Sequence, residues 1–170
     1  DDVRSQPDRF RIAARSATPE VRAHASVLQR AAREFDGLMT AYEGRGAGAA
    51  EALLRAAEVA RVDLEALAVA RGLYISYVRV APGSPWSAKA VFGALSVSGH
   101  APDPTWVEDR GEATDDELRA RLSELPADDP YRIAVLEPWL RGPAADSAYV
   151  LAEADLQRRL IEIRRLVDPT

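Results

Sequence analysis

The chain of 170 residues contains no cysteine. That excludes a disulfide scaffold, a thiol nucleophile, an iron–sulfur cluster and a thiolate zinc site. Lysine is nearly absent, with Lys89 the sole example, and histidine occurs twice, as His24 and His100. Aromatic residues make up only 6% of the chain. No apolar run approaches the roughly 18 residues of a membrane-spanning helix. The net charge of −5 argues against a surface that is basic overall, as a nucleic-acid footprint would require. What remains is ordinary for a globular protein: 47% hydrophobic and 29% charged residues. A chain of this size hides roughly two-thirds of its unfolded surface. The expected organisation is one globular helical domain over 17–170, preceded by a polar, arginine-dotted arm over 1–16 whose large apolar anchors are Phe10 and Ile12.

Acidity is concentrated. Between Ala101 and Asp129 ten acidic residues oppose three arginines, a local charge of −7 that leaves +2 for the rest of the chain. Such a run usually forms a solvated loop and helix face. The chain opens Asp1-Asp2 without a methionine. This fits a fragment of a cytoplasmic protein, slightly favoured, as well as a chain whose secretory leader was cleaved, so the compartment stays open.

Helix signals dominate. Thr18-Pro19-Glu20 supplies a hydroxyl cap, a proline at the first helical position and an acid at the positive end of the dipole. The stripe Val21, Leu28, Phe35, Tyr42 follows, with His24, Ala31 and Leu38 beside it, and Gly44-Arg45-Gly46 ends it. A second helix is expected from Ala49 to Arg71, apolar on two faces, with Asp63 as an alternative cap for a shorter helix and Gly72 as the stop. Leu73–Val80 is rich in β-branched and aromatic residues, which favour strand. With the Pro82-Gly83-Ser84-Pro85 turn and Ala90–Ser98 it is expected to form a small β-hairpin over about 73–98. Thr114-Asp115-Asp116-Glu117 is a capping box that starts a helix to about Glu124. A short helix is expected over Tyr131–Leu140 after Asp129-Pro130, and a last long one over about Ala144–Leu166. The fold expected is mainly α: a bundle of three long and two short helices with the hairpin.

Catalytic constellations are faint. Glu20 stands four residues before His24 on one helix face, but a di-iron bundle wants Glu-x-x-His on two helices, so no metal site is expected. Ser96 and Ser98 lie near His100 without a Gly-x-Ser-x-Gly elbow. The acidic segment lacks the Asp-x-Asp-x-Asp-Gly spacing of a calcium loop. Gly83 to Lys89 echoes a phosphate loop, yet alanine replaces both the second glycine and the magnesium-binding hydroxyl, so it reads as a turn. No cofactor is expected.

Residues 62–83, Val-Asp-Leu-Glu-Ala-Leu-Ala-Val-Ala-Arg-Gly-Leu-Tyr-Ile-Ser-Tyr-Val-Arg-Val-Ala-Pro-Gly, resemble the repressor-type helix-turn-helix pattern. The resemblance implies Leu67-Ala68 in the first helix, Gly72 in the turn, and Ser76-Tyr77-Val78 in a recognition helix with Arg79 as the main phosphate or guanine contact.

Three functional readings follow. The leading one is a non-catalytic protein–protein interaction or assembly module, an accessory subunit binding a protein partner or a second copy of itself. Its contacts are Phe10 and Arg11 of the arm together with the turn-placed Trp86 and Trp106, since tryptophan is enriched among interface anchors. The alternatives are a DNA-binding regulator using 62–83, with nucleic acid the less favoured partner, and a small-molecule enzyme. The enzyme would have a pocket between helices and hairpin, with Tyr74, Tyr77, Arg79 and His100 as its polar groups.

Overall fold

The computed structural model describes residues 18–102, 113–138, 150–159 and 161–162. They form helices joined by short turns, with no strand among the described residues. The first, α1 (Pro19–Glu43), begins as the sequence predicts: the Thr18 hydroxyl accepts from the Val21 N–H and proline sits in the first turn. It stops where the Gly44 N–H bonds back to the Thr40 carbonyl. Phe35, Leu38, Met39, Ala31 and Ala32 are its buried face. The loop to α2 (Ala49–Val62) turns through left-handed backbone at Arg45 and Gly48. A connection this short makes the two helices an antiparallel hairpin, which the Arg55–Glu34 ion pair of 2.9 Å crosses.

The expected single helix over 49–71 is broken at Asp63–Ala66. Glu65 takes positive φ, and the Leu64 and Ala66 N–H groups bond back to Val59 and Ala60 carbonyls, reversing the chain. The break releases α3 (Leu67–Val80), in which every residue from Val69 to Val78 is buried. This replaces the first strand of the expected hairpin. Strand propensity measures fit to a half-buried pleated surface. Here α2 packs on one side of the segment and α4 (Ser87–Ser96) on the other, and a helix apolar all round is the form that buries in such a position. The second expected strand is α4 itself. Gly93 explains how closely α3 and α4 approach: a Cβ there would lie 2.6 Å from carbon atoms of the Tyr74 ring.

α5 (Asp115–Ser123) starts with the full capping box, Thr114 and Glu117 each bonding the other's backbone N–H. α6 (Pro130–Leu136) is capped by the Asp129 carboxylate, which accepts from the Tyr131 and Arg132 N–H groups. It ends before Leu140, because the residue preceding Pro138 disfavours helical backbone. Arg132 fastens the two together through the Leu125 carbonyl at 2.7 Å, and bonds Glu137 at the end of its own helix at 3.1 Å. Of the last expected helix, 150–159 is described as helical and is called α7. Packing is serial: α1 on α2, α2 on α3, α3 on α4, then α5 and α6 against α4 and each other. Among the described residues, no helix is long and apolar enough to cross a membrane.

Candidate functional site

Four helices each send a polar group into the centre of the fold. Glu58 comes from α2, Tyr74 from α3, Lys89 from α4 and Glu153 from α7. The Tyr74 hydroxyl donates to Glu58 Oε1 at 2.6 Å. Arg61, one turn beyond Glu58, bonds Glu58 Oε2 at 2.9 Å and gives its Nε–H to the Tyr74 oxygen at 3.0 Å. The Lys89 ammonium lies 3.7 Å from Glu58 Oε1 and 2.6 Å from Glu153 Oε1. It also stands 5.6 Å from the Phe92 ring centre. Two carboxylates face two cations, so the group is neutral as a whole.

Burial sets its electrostatics. Lys89 is 2% exposed and Glu58 4%. Desolvation alone pushes the Glu58 carboxyl up, but the Lys89 charge, the Tyr74 hydrogen bond and Arg61 more than reverse it, so its pKa falls below the ordinary value. Burial and the adjacent Glu58 charge push the Tyr74 hydroxyl well up. For Arg61, burial works against the charge, and Tyr74 and Glu58 outweigh it, so the guanidinium is held more firmly protonated. At neutral pH Glu58 is therefore the carboxylate, Tyr74 the phenol and Arg61 the guanidinium. Its members are spent on one another, with Glu58, Tyr74 and Lys89 sealed from water and Arg61 and Glu153 at its edge. What the arrangement does chemically is fix four helices in register, because any slip leaves a buried charge without its partner.

A second buried cation, Arg71 at 7% exposure, reaches Asp115 on α5 at 2.7 Å. Its Nε and Nη1 are buried without a hydrogen-bond partner. A groove of about 770 Å³ lies between the 82–87 turn and the α5–α6 turn, lined by Pro82, Ser84, Pro85, Arg121, Leu125 and Asp129 among others.

The residues singled out from sequence are scattered over these features. Tyr74 belongs to the buried group. The Tyr77 hydroxyl meets Ser84 Oγ at 2.7 Å on the groove's rim; burial raises its pKa, with the Ser84 bond opposing. His100 is exposed beyond α4, and Arg79 belongs to α3. The pocket expected to unite Tyr74, Tyr77, Arg79 and His100 therefore has no hairpin wall, and the groove is lined by none of them. Trp86 is half-buried against the core with the Arg159 guanidinium over its ring at 5.5 Å. Phe10, Arg11 and Trp106 lie outside the described residues.

The helix-turn-helix expectation is corrected: 67–80 is one unbroken helix with Gly72 inside it, and the would-be reading residues Ser76, Tyr77 and Val78 face the core. His24 and Glu20 are exposed, and the described residues contain no cluster of three potential metal ligands.

Sequence reasoning passed over Glu58, Lys89 and Glu153. The signal was available. Ala56-Ala57-Glu58-Val59-Ala60 and Ala88-Lys89-Ala90-Val91-Phe92 each place one charge in an apolar stretch, which demands a buried partner. Comparison with protein-family models, curated proteins and solved structures finds no match to this chain.

Proposed function

We propose that this chain is a non-catalytic helical interaction module that binds a protein partner along the first three turns of α1. The observation that carries the reading is the length of that helix. Its 25 residues span about 37 Å, whereas the 14-residue α2 beside it spans about 21 Å. The apolar stripe that buries Phe35 and Leu38 continues beyond α2's reach as half-buried Leu28, buried Ala25 and, at its end, exposed Val21. Val21 is 47% exposed, as is Val27, which lies about a third of a turn round the helix from it. Isolated helical turns are marginal in water, so an apolar stripe on them calls for a covering surface. Arg22, Arg30 and Arg33 are exposed around it, which favours a partner with an apolar ridge rimmed by carboxylates. The inward use of Glu58, Tyr74, Arg61 and Lys89 supports the same reading, since these groups hold the scaffold that presents the helix.

The test is a tagged pull-down of the full chain from native lysate, with and without nuclease, read by mass spectrometry. It is run beside the double variant Val21→Asp, Val27→Asp. Both valines are half in water, so the variant keeps its helix content by circular dichroism. A stoichiometric protein partner that survives nuclease and is lost on the double variant is the expected result. Equal recovery by both chains, or recovery of nucleic acid alone, overturns the reading.

A further inference from the structure

We infer that the face of α4 covered by α7 is a helix-binding groove, and that its resident helix can be exchanged for α7 of a second copy of the chain. The seat is defined by a short code. Glu153 meets Lys89 at 2.6 Å, Leu156 is fully buried, and Arg159 caps the Trp86 ring. These three positions, with half-buried Ala152, occupy one side of the helix. Because Glu153 lies at Lys89 and Arg159 at Trp86, α7 runs antiparallel to α4, and the ends of the groove are chemically distinct. A cation site, an apolar hole and an aromatic face at three-residue spacing specify both direction and register.

Two features make the resident replaceable. First, among the described residues its hold is small: one fully buried apolar side chain, one ion pair whose carboxylate is still 22% exposed, and one cation–π contact. Elements with so little buried apolar surface open at the low end of the range of local stabilities. Second, Lys89 keeps Glu58 at 3.7 Å when Glu153 leaves. The body therefore does not strand an ammonium in its core each time α7 lifts.

The second copy is the occupant indicated because α7 itself is the sequence that fits the seat. The opposite side of α7 points the same way. Val150, Leu151 and Ile161 are 62%, 70% and 51% exposed and lie about 120–140° round the helix from the central Leu156, with Val150 and Ile161 bordering Glu153. One helix thus carries an apolar face inside its own chain and another in water, as expected of an element shared between copies. This inference is independent of the α1 reading, and neither set of variants touches the other.

The probe is a fluorescent peptide of residues 150–162, titrated by anisotropy into the full chain. Saturable binding is expected, at least tenfold tighter to a chain carrying Leu156→Ala, whose own helix no longer competes well. The same peptide carrying Glu153→Lys is expected not to bind. Should Leu156→Ala lose its helical signal, the chain carrying Glu153→Gln and Arg159→Ala takes its place, since both side chains are partly in water. Failure of the peptide to bind the weakened chain, or equal binding of the Glu153→Lys peptide, overturns the inference.

Discussion

Each polar residue at the centre of this fold is tolerated because a specific partner arrives from another helix. Glu58 is the pivot. Glu58→Ala leaves Lys89 and Arg61 short of a buried counter-charge and is expected to cost about 3–5 kcal/mol, measured by urea unfolding. Lys89→Met is expected to cost less, since Glu58 keeps Tyr74 and Arg61 and Glu153 is partly in water. The pH dependence follows from the same group. A lowered Glu58 pKa stabilises the fold above the ordinary carboxylate range, and that contribution is lost as pH falls through the folded value. A raised Tyr74 pKa contributes stability that is complete below about pH 10 and declines as pH rises further. Stability should therefore drop at both extremes. Tyr74→Phe should shrink the alkaline drop, leaving a smaller one from Tyr77, in unfolding free energies compared at neutral and strongly alkaline pH. An unchanged alkaline limb would contradict the assignment. Gly93→Ala drives a methyl into the Tyr74 ring and should lose about 1–3 kcal/mol. Gly83→Ala, with open space around its Cβ, should be near neutral in the same thermal or urea assay.

At the scale of elements, the helices with chemical punctuation were legible and those defined by their neighbours were not. Thr18-Pro19 and Thr114-x-x-Glu117 announce their helices because a cap satisfies backbone donors locally, whatever the rest of the chain does. Leu73–Val80 announced the wrong state. Its valines, isoleucine and tyrosines suit a strand in isolation, but two flanking helices bury every residue from Leu73 to Val78. The break at 63–66 was legible only as an alternative, through Asp63 as a possible cap, since a positive φ at Glu65 carries no compositional mark. The central ionic group was half legible: a lone charge in an apolar stretch signals a buried partner, but which helix supplies it is a tertiary fact. The grouping of Tyr74, Tyr77, Arg79 and His100 rested on a hairpin, and that wall is replaced by helices. Local caps should be separable in experiment. Thr114→Ala is expected to cost about 0.5–2 kcal/mol, with hydrogen exchange rising first in α5 and little changed in α2. Uniform acceleration across both helices would show that α5 is not a local unit.

At the largest scale, the described helices α1 to α6 form a serial stack in which each packs on its predecessor, and the ionic group ties α2, α3, α4 and α7 together. Such a scaffold holds α1 rigidly at Phe35 and Leu38 while its first turns carry Val21 and Val27 half in water beside three arginines. The central claim, that these turns bind a protein, is tested most directly by a photo-crosslinking side chain placed at Val27 of the full chain in its native cells. The account predicts a discrete protein adduct from position 27 that disappears with Val21→Asp, and none from the exposed control position Gly83. Adducts of equal yield from both positions, or none from position 27, would contradict it.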